Sequence, residues 1–126
     1  MTQIVNKREI KFKAWNNLHK HWMDRNYSSL YLDGELIVSE GESYNTYEEI
    51  TLCQFTGLTD KNGKEIYEWD IVKAEDWPTL IDSTTGYVYF EDGAWKVEGA
   101  IPPLVHFASL EVIGNIFENP ELITKQ

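Results

Sequence analysis

Histidine and cysteine are the residue types in this chain with the most specific chemistry, and the chain contains three of the first and one of the second. His19 and His21 lie two residues apart, so on a strand they would share a face, and histidine pairs at this spacing can bind a metal ion. The spacing identifies no third ligand, so two solvent-facing histidines are the favoured interpretation. Cys53 and His106 lie among apolar residues, where we expect a small core residue and a core or rim histidine. A nucleophilic Cys-His pair is the less favoured alternative.

Paired carboxylates are numerous, as expected for 21 acidic against 11 basic side chains. None lies in a spaced motif such as an EF-hand loop, and adjacent acids on a strand point to opposite faces. The sequence also lacks a phosphate-binding glycine loop, a nucleophile elbow and a zinc-protease motif. We therefore predict that the protein is not an enzyme and that it has no catalytic residues, metal site or cofactor. The pairs that we interpret as solvating surface are Glu48 with Glu49, Glu68 with Asp70, Glu75 with Asp76, and Glu91 with Asp92.

Aromatic side chains are the stronger indication of function. The chain has five Trp, seven Tyr and five Phe, too many for a domain of 126 residues to bury completely. Exposed aromatic side chains are typical of protein-interaction hot spots, and acidic neighbours suit a partner with a basic surface. Four aromatic residues lie in predicted turns or loops among acids, and we predict them as binding residues: Tyr44, Tyr47, Trp69 and Trp77.

The formal charge of -10 is unevenly distributed. The first 25 residues carry six basic and two acidic side chains, and the rest of the chain carries five basic and 19 acidic ones. The acidic body argues against non-specific binding of duplex nucleic acid. The favoured interpretation of the N-terminal lysines is the solvated face of an edge strand. Two alternatives stay open: a nucleic-acid-associated protein that uses residues 7–13 with Trp15 and Trp22 as stacking surfaces, and an acidic mimic of nucleic acid that acts on a host protein.

The elements that must position these residues are almost all strands. Alternating apolar and polar residues indicate a strand over Ile10–Trp15, and a further strand over Leu110–Phe117 contains Gly114, which predicts a bulge or tight bend. Runs of apolar and β-branched residues flank three dipeptides that can supply the positive φ angles of a tight primed hairpin turn. These dipeptides are Asp33-Gly34, Asn62-Gly63 and Asp92-Gly93.

The remaining segments have the composition of loops or short helical turns. Ser39–Glu49 and Glu75–Thr85 are rich in turn-forming and acidic residues, so we predict loops there. Short helical turns are predicted over Leu104–Phe107, after a proline pair, and at Asn119–Glu121, where a capping residue precedes proline. No apolar run approaches the roughly 18 residues of a transmembrane helix, and Met1–Lys13 lacks the pattern of a signal peptide.

Three blocks of the sequence together resemble one known family. Arg8–Trp15, Gln54–Val72 and Glu111–Leu122 look like the corresponding blocks of the YopX family of phage and prophage proteins. The resemblance implies an all-β fold around an SH3-like barrel and a phage or prophage origin, and it supplies no catalytic residues. At one position the family usually has Gly where this chain has Trp69. If that position needs a positive φ, the tryptophan costs stability or the local geometry has changed; if it is exposed, Trp69 is a candidate contact residue.

The strand pattern predicts one all-β domain over residues 1–126, a barrel or sandwich of antiparallel hairpins with one or two short helical turns, and the resemblance implies that its core is an SH3-like barrel. The expected role is that of a phage-encoded accessory module in the cytoplasm of the bacterial host. We expect it to bind a host or phage protein, without catalysis and without membrane association.

Overall fold

The structure is a computed structural model that describes residues 9–23, 28–30, 36–40, 43–45, 50–76 and 83–123, with the three short middle ranges described by their backbone only. No helix within these residues has the length and apolar character that crossing a membrane requires. The predicted all-β class with an SH3-like core of antiparallel hairpins is confirmed, and one sheet curls into a half-barrel. The strands are β1 Phe12–Asn16, β2 His21–Trp22, β3 Ser28–Leu30, β4 Leu36–Glu40, β5 Ser43–Asn45, β6 Ile50–Thr59, β7 Glu65–Tyr67, β8 Asp70–Glu75, β9 Ser83–Glu91, β10 Ala94–Val97 and β11 Ser109–Asn115.

The chain divides into two compact units. The first, which we call the N-terminal unit, is Phe12–Cys53, and the second, the C-terminal unit, combines the segment up to Lys11 with the chain from Gln54 onward. The single domain over residues 1–126 stays a prediction.

The N-terminal unit begins with the hairpin of β1 and β2. Trp15 pairs with Trp22 across this hairpin, and their rings meet edge to face with centroids 5.0 Å apart. The buried Asn16 closes the turn, because its side-chain oxygen accepts the backbone N–H of Leu18 and of His19. In the same unit β3, β4 and β5 form a second antiparallel sheet.

The C-terminal unit is built on a four-stranded antiparallel sheet with the order β10-β9-β8-β11. β8 lies between β9 and β11, and its adjacent residues Ile71 and Val72 are both fully buried, so both faces of the strand are covered at this point. Val88 of β9 faces Val97 of β10, and both side chains are fully buried. The largest fully buried side chains of this core are Ile66, Val72, Val88, Val97 and Leu104.

Two of the predicted turns are described, and they differ. At Asp92-Gly93 both residues have positive φ, 54° and 79°, as a primed two-residue hairpin requires, so this prediction is confirmed. At Asn62-Gly63 only Gly63 has positive φ, 82°, and the Gly63 N–H donates to the Asp60 C=O in a longer turn. The primed turn is therefore wrong at this position, because Asp60 fixes a wider loop between β6 and β7. The third dipeptide, Asp33-Gly34, lies outside the described residues.

The predicted loops are shorter than the sequence indicated. β4 continues to Glu40 and β5 begins at Ser43, so Ser39–Glu49 contains strand backbone and Tyr44 pairs with Ser39 instead of lying in a loop. β8 likewise extends to Glu75 and β9 begins at Ser83. Polar side chains do not prevent backbone pairing, and the hairpin register overrides composition at these ends.

The bulge and the helical turns are confirmed. The register of β11 against β8 shifts between Val112 and Gly114, where a bulge was predicted. Short 3-10 helices span Leu104–His106 and Pro120–Leu122. Asn119 does not cap its helix through its side chain; its Oδ1 instead accepts the N–H of Asn115 at 3.2 Å.

Candidate functional site

Trp69 lies in the tight turn between β7 and β8, and its backbone is held on two sides. Its φ is 73°, a left-handed value that a bulky residue rarely adopts. The Trp69 N–H donates to the Val88 C=O at 2.7 Å, and the Trp69 C=O accepts the Ile116 N–H at 3.0 Å. The position therefore does require a positive φ, and the tryptophan is kept there at a cost in backbone energy.

The residues on either side of Trp69 anchor the turn. Asp70 is only 4% exposed, and its carboxylate accepts the Tyr67 N–H at 2.8 Å. The interpretation of Asp70 as solvating surface is therefore wrong, because it caps the turn from inside. Glu68 donates its N–H to the Gln54 C=O at 2.9 Å, and partial burial raises the pKa of its carboxyl group.

Three half-buried aromatic side chains follow one another beside this turn. The ring centroids of Trp69 and Tyr87 are 5.7 Å apart, and those of Tyr87 and Tyr89 are 5.8 Å apart. We call this set the aromatic row. Burial, followed by the nearby Glu98 carboxylate and Tyr89, raises the pKa of Tyr87 above its ordinary value, so the Tyr87 hydroxyl stays protonated at neutral pH.

An open groove of about 470 Å³ adjoins the aromatic row at Tyr87, and we call it the β9 groove. A Cβ atom at Gly86 would collide with the Glu98 carbonyl oxygen, so glycine is needed there for the close approach of two chain segments. The groove combines hydroxyl groups, one carboxylate and one aromatic ring. Its lining residues are Ser83, Thr84, Thr85, Gly86, Tyr87, Glu98, Gly99 and Ile123.

A second groove, of about 430 Å³, lies along β6 between Phe55, Trp95 and Ile10. The Lys11 ammonium pairs with Glu65 and, at 2.7 Å, with Glu9, two acids that line this groove, and it lies 4.9 Å from the centre of the Phe55 ring. Hydrogen bonds to Glu65 and Glu9 raise the pKa of Lys11. Both acids of this groove therefore form an ion pair with Lys11 of the protein itself.

A family model described as YopX protein matches residues 5–124. The chain belongs to the YopX family. It is similar to the crystal structure of protein EF1440 from Enterococcus faecalis, with 27% identity and a TM-score of 0.67 over 94% of this chain and 100% of that chain. It is also similar in fold to protein yopX from Bacillus subtilis, with 19% identity and a TM-score of 0.55 over 91% of this chain and 96% of that chain. No curated protein was found to match.

Of the four aromatic residues predicted as binding residues of this YopX-family chain, Trp69 is the one whose side chain lies within the described part of the structure. Its ring contacts Tyr87 of β9, and the Tyr87 ring in turn contacts Tyr89. Tyr44 lies in β5, where only the backbone is described. Tyr47 and Trp77 lie outside the described residues, so their role stays a prediction.

The three histidines and the single cysteine of this YopX-family chain each have a described position. His19 lies in the turn and His21 in β2, so they do not share a strand, and their exposed rings stack with centroids 6.3 Å apart. Cys53 is fully buried, and His106 is an exposed residue whose Nε2 lies 3.2 Å from the Asp76 carboxylate. Among the described residues no group of three or more His, Cys, Asp or Glu could hold a metal ion.

The sequence reasoning missed Asp60, which is 7% exposed. Its carboxylate accepts three backbone N–H groups, from Asn62, Lys64 and Val112, each at 2.9 Å. Burial alone would raise the pKa of Asp60, but these three hydrogen bonds outweigh it and hold the pKa below its ordinary value. An aspartate two residues before Asn-Gly was the signal, because Asp accepts the N–H two residues further on.

Proposed function

We propose that this YopX-family chain is a non-catalytic binding module that recognises another protein through the aromatic row. The observation that supports this is Trp69, a large side chain in a left-handed conformation that costs about 1–2 kcal/mol. Its ring is only partly buried and leans on Tyr87, so packing inside the fold gives an incomplete reason to keep it. Strain of this kind clusters at binding sites, where a partner supplies the reason.

The chemistry around the row favours a partner with a basic surface. Trp and Tyr are enriched in interaction hot spots, and a cation can lie over their rings. Glu98 stands beside Tyr87, and the chain as a whole carries -10. The finer assignment belongs to the same proposal: an accessory protein encoded by a phage or prophage, which acts in the cytoplasm of the bacterial host.

The test is affinity capture from lysates of Enterococcus faecalis and Bacillus subtilis, the sources of the two similar structures. Wild type is compared with Tyr87→Ala and with the matched control Phe90→Ala, an exposed aromatic residue on the opposite face of β9. We expect a specific protein to be retained by wild type and by Phe90→Ala. Its retention should fall at least about tenfold with Tyr87→Ala. No specific capture, or equal capture by all three proteins, contradicts the proposal.

A further inference from the structure

β9 is longer than its neighbour β10, and the difference leaves part of one strand edge open. β10 pairs with β9 from Val88 to Glu91, and the Glu98 N–H donates one further hydrogen bond to the Tyr87 C=O at 2.9 Å. Before Tyr87, β9 pairs with β8 alone among the described strands. The residues concerned are Ser83–Gly86, where β9 borders the β9 groove.

The hydrogen bonds show which backbone groups face the open side. The Tyr87 C=O points toward β10, whereas the Val88 C=O accepts the Trp69 N–H on the opposite side. The N–H and C=O of one residue in an antiparallel strand point the same way, and the direction alternates along the strand. Ser83 and Thr85 therefore present their N–H and C=O groups to the open edge, and no strand in the described part of the chain pairs with them there.

After Val97 the chain leaves this edge of β9. It crosses over the face of β9 at Gly86, where the Glu98 carbonyl oxygen lies so close that a Cβ atom on Gly86 would collide with it, and Gly99 follows with a φ of 91°. Open edges are usually protected by Lys, Pro or a bulge. The edge over Ser83–Thr85 carries no charge, and two of its three side chains are β-branched, which favours strand pairing.

We propose that Ser83–Thr85 accepts an extended segment of the partner protein as an added strand in line with β10, with a Lys or Arg of that segment beside Glu98. This inference rests on the proposed binding function and specifies how the partner is held. Backbone hydrogen bonds to an exposed edge supply affinity in this mode of recognition, and pockets for alternate side chains supply specificity.

Charge selects this occupant over a second copy of the same chain. Glu98 forms no ion pair with any residue that the structure describes, and it shares the groove with the Tyr87 ring, over which a cation can lie. Two copies joined at this edge would bring together two chains that each carry -10. A basic segment gains electrostatic attraction where a second copy meets repulsion.

The probe is a library of random peptides of about ten residues, selected against the full chain. We expect the selected peptides to carry Lys or Arg, to slow amide hydrogen exchange at Ser83 and Thr85, and to lose about five- to tenfold in affinity with Glu98→Gln. The matched control, Glu91→Gln at the other end of β9, should leave affinity unchanged. Each selected peptide is then N-methylated at one backbone position at a time. A strand partner loses about tenfold or more in affinity at alternate positions only.

The outcomes separate this inference from the proposed function. Peptides that bind and are weakened by Tyr87→Ala, yet tolerate N-methylation throughout and leave Thr85 unprotected, overturn the added strand while the binding function stands. Capture of a folded partner from lysate without any selected peptide does the same. Absence of specific capture from lysate contradicts the proposed function by itself, and failure of the peptide selection as well overturns the inference with it.

Discussion

At Trp69 a large ring and a left-handed backbone act on stability in opposite directions. The φ of 73° costs about 1–2 kcal/mol for a residue with a Cβ atom. The contact with Tyr87 returns about 0.5–1.5 kcal/mol beyond the area that it buries. Substitution by alanine and by glycine separates the two, because alanine removes the ring and keeps the strain, whereas glycine removes both.

We expect Trp69→Gly to be more stable than Trp69→Ala by about 1 kcal/mol, the reverse of the usual order in strands. Urea denaturation of both variants measures the difference. Tyr87 provides the matched control, because it lies on regular β9 backbone and there Ala should be more stable than Gly. Equal stability of the two Trp69 variants would show that the left-handed conformation costs nothing. Both variants should lose partner binding to the same extent.

Asp60 ties three segments of backbone to one buried carboxylate, and its stabilising effect depends on ionisation. Its pKa in the folded protein is lowered by the hydrogen bonds from Val112, Lys64 and Asn62, which outweigh the opposing effect of burial. A lowered folded pKa makes the contribution complete above the unfolded pKa of about 3.9 and progressively lost as pH falls through the folded value. We expect Asp60→Asn to lower the free energy of unfolding by about 1–3 kcal/mol at pH 7. This difference from wild type should stay constant down to about pH 5 and shrink below about pH 4.

Glu68 gives a prediction of the opposite sign. Burial raises the pKa of this carboxyl group, so the fold favours its protonated form and loses stability as pH rises through the interval between the unfolded and the folded pKa. We expect Glu68→Gln to unfold at a higher urea concentration than wild type at pH 7, with the two midpoints converging below about pH 4. A midpoint below that of wild type at pH 7 would instead mean that the weak hydrogen bond from the Gln54 N–H, at 3.4 Å, outweighs desolvation.

At the scale of the strands and turns, two similar dipeptides close two different hairpins. Asp92-Gly93 has two positive φ angles, whereas Asn62 has an ordinary one because the Asp60 carboxylate holds its N–H. We expect Asp92→Ala to cost about 0.5–1 kcal/mol, since Asp tolerates the left-handed region better than Ala. Asn62→Ala should change stability by less than about 0.5 kcal/mol.

Asp92→Asn is the control for the turn, because Asn also tolerates positive φ and should keep the wild-type denaturation midpoint. The two Asp92 variants also test the loss of charge at this position, since the Asp92 carboxylate lies 3.7 Å from the Lys96 ammonium on an exposed surface. If Asp92→Asn is as unstable as Asp92→Ala, the ion pair and not the turn geometry accounts for the effect.

Local patterns predict most of the strands, and long-range contacts explain what they miss. Alternation and turn dipeptides identify β8, β9 and β10, and Gly114 correctly indicates the bulge in β11. The pattern cannot show that a carboxylate at Asp60 reaches the N–H of Val112, 52 residues away. The same limit applies to the site: Trp69 is visible as an unusual residue, but its contact with Tyr87 depends on the pairing of β8 with β9.

At the scale of the whole molecule, the basic N-terminal segment offers a partner fewer free positive charges than the sequence count implies. The basic N-terminal segment suggested a nucleic-acid surface, yet Lys11 is paired with Glu9 and Glu65. Lys13 lies 4.3 Å from the centre of the Trp22 ring, the ring that base stacking would need. These two lysines already have partners within the protein, so fewer charges are left to neutralise phosphates than the sequence implies.

We therefore expect no submicromolar binding of single-stranded or duplex DNA at about 50 mM salt, where phosphate contacts are at their strongest. Fluorescence titration of the tryptophans measures this directly. The double variant Glu9→Gln, Glu65→Gln releases Lys11 from its partners, so any residual affinity should rise in the variant and fall again as salt is added. Submicromolar binding by wild type that weakens steeply with salt would restore the nucleic-acid alternative.

Absence of DNA binding in both proteins leaves the excess negative charge to act on a basic protein partner. The association rate of that partner with wild type should then fall as ionic strength rises.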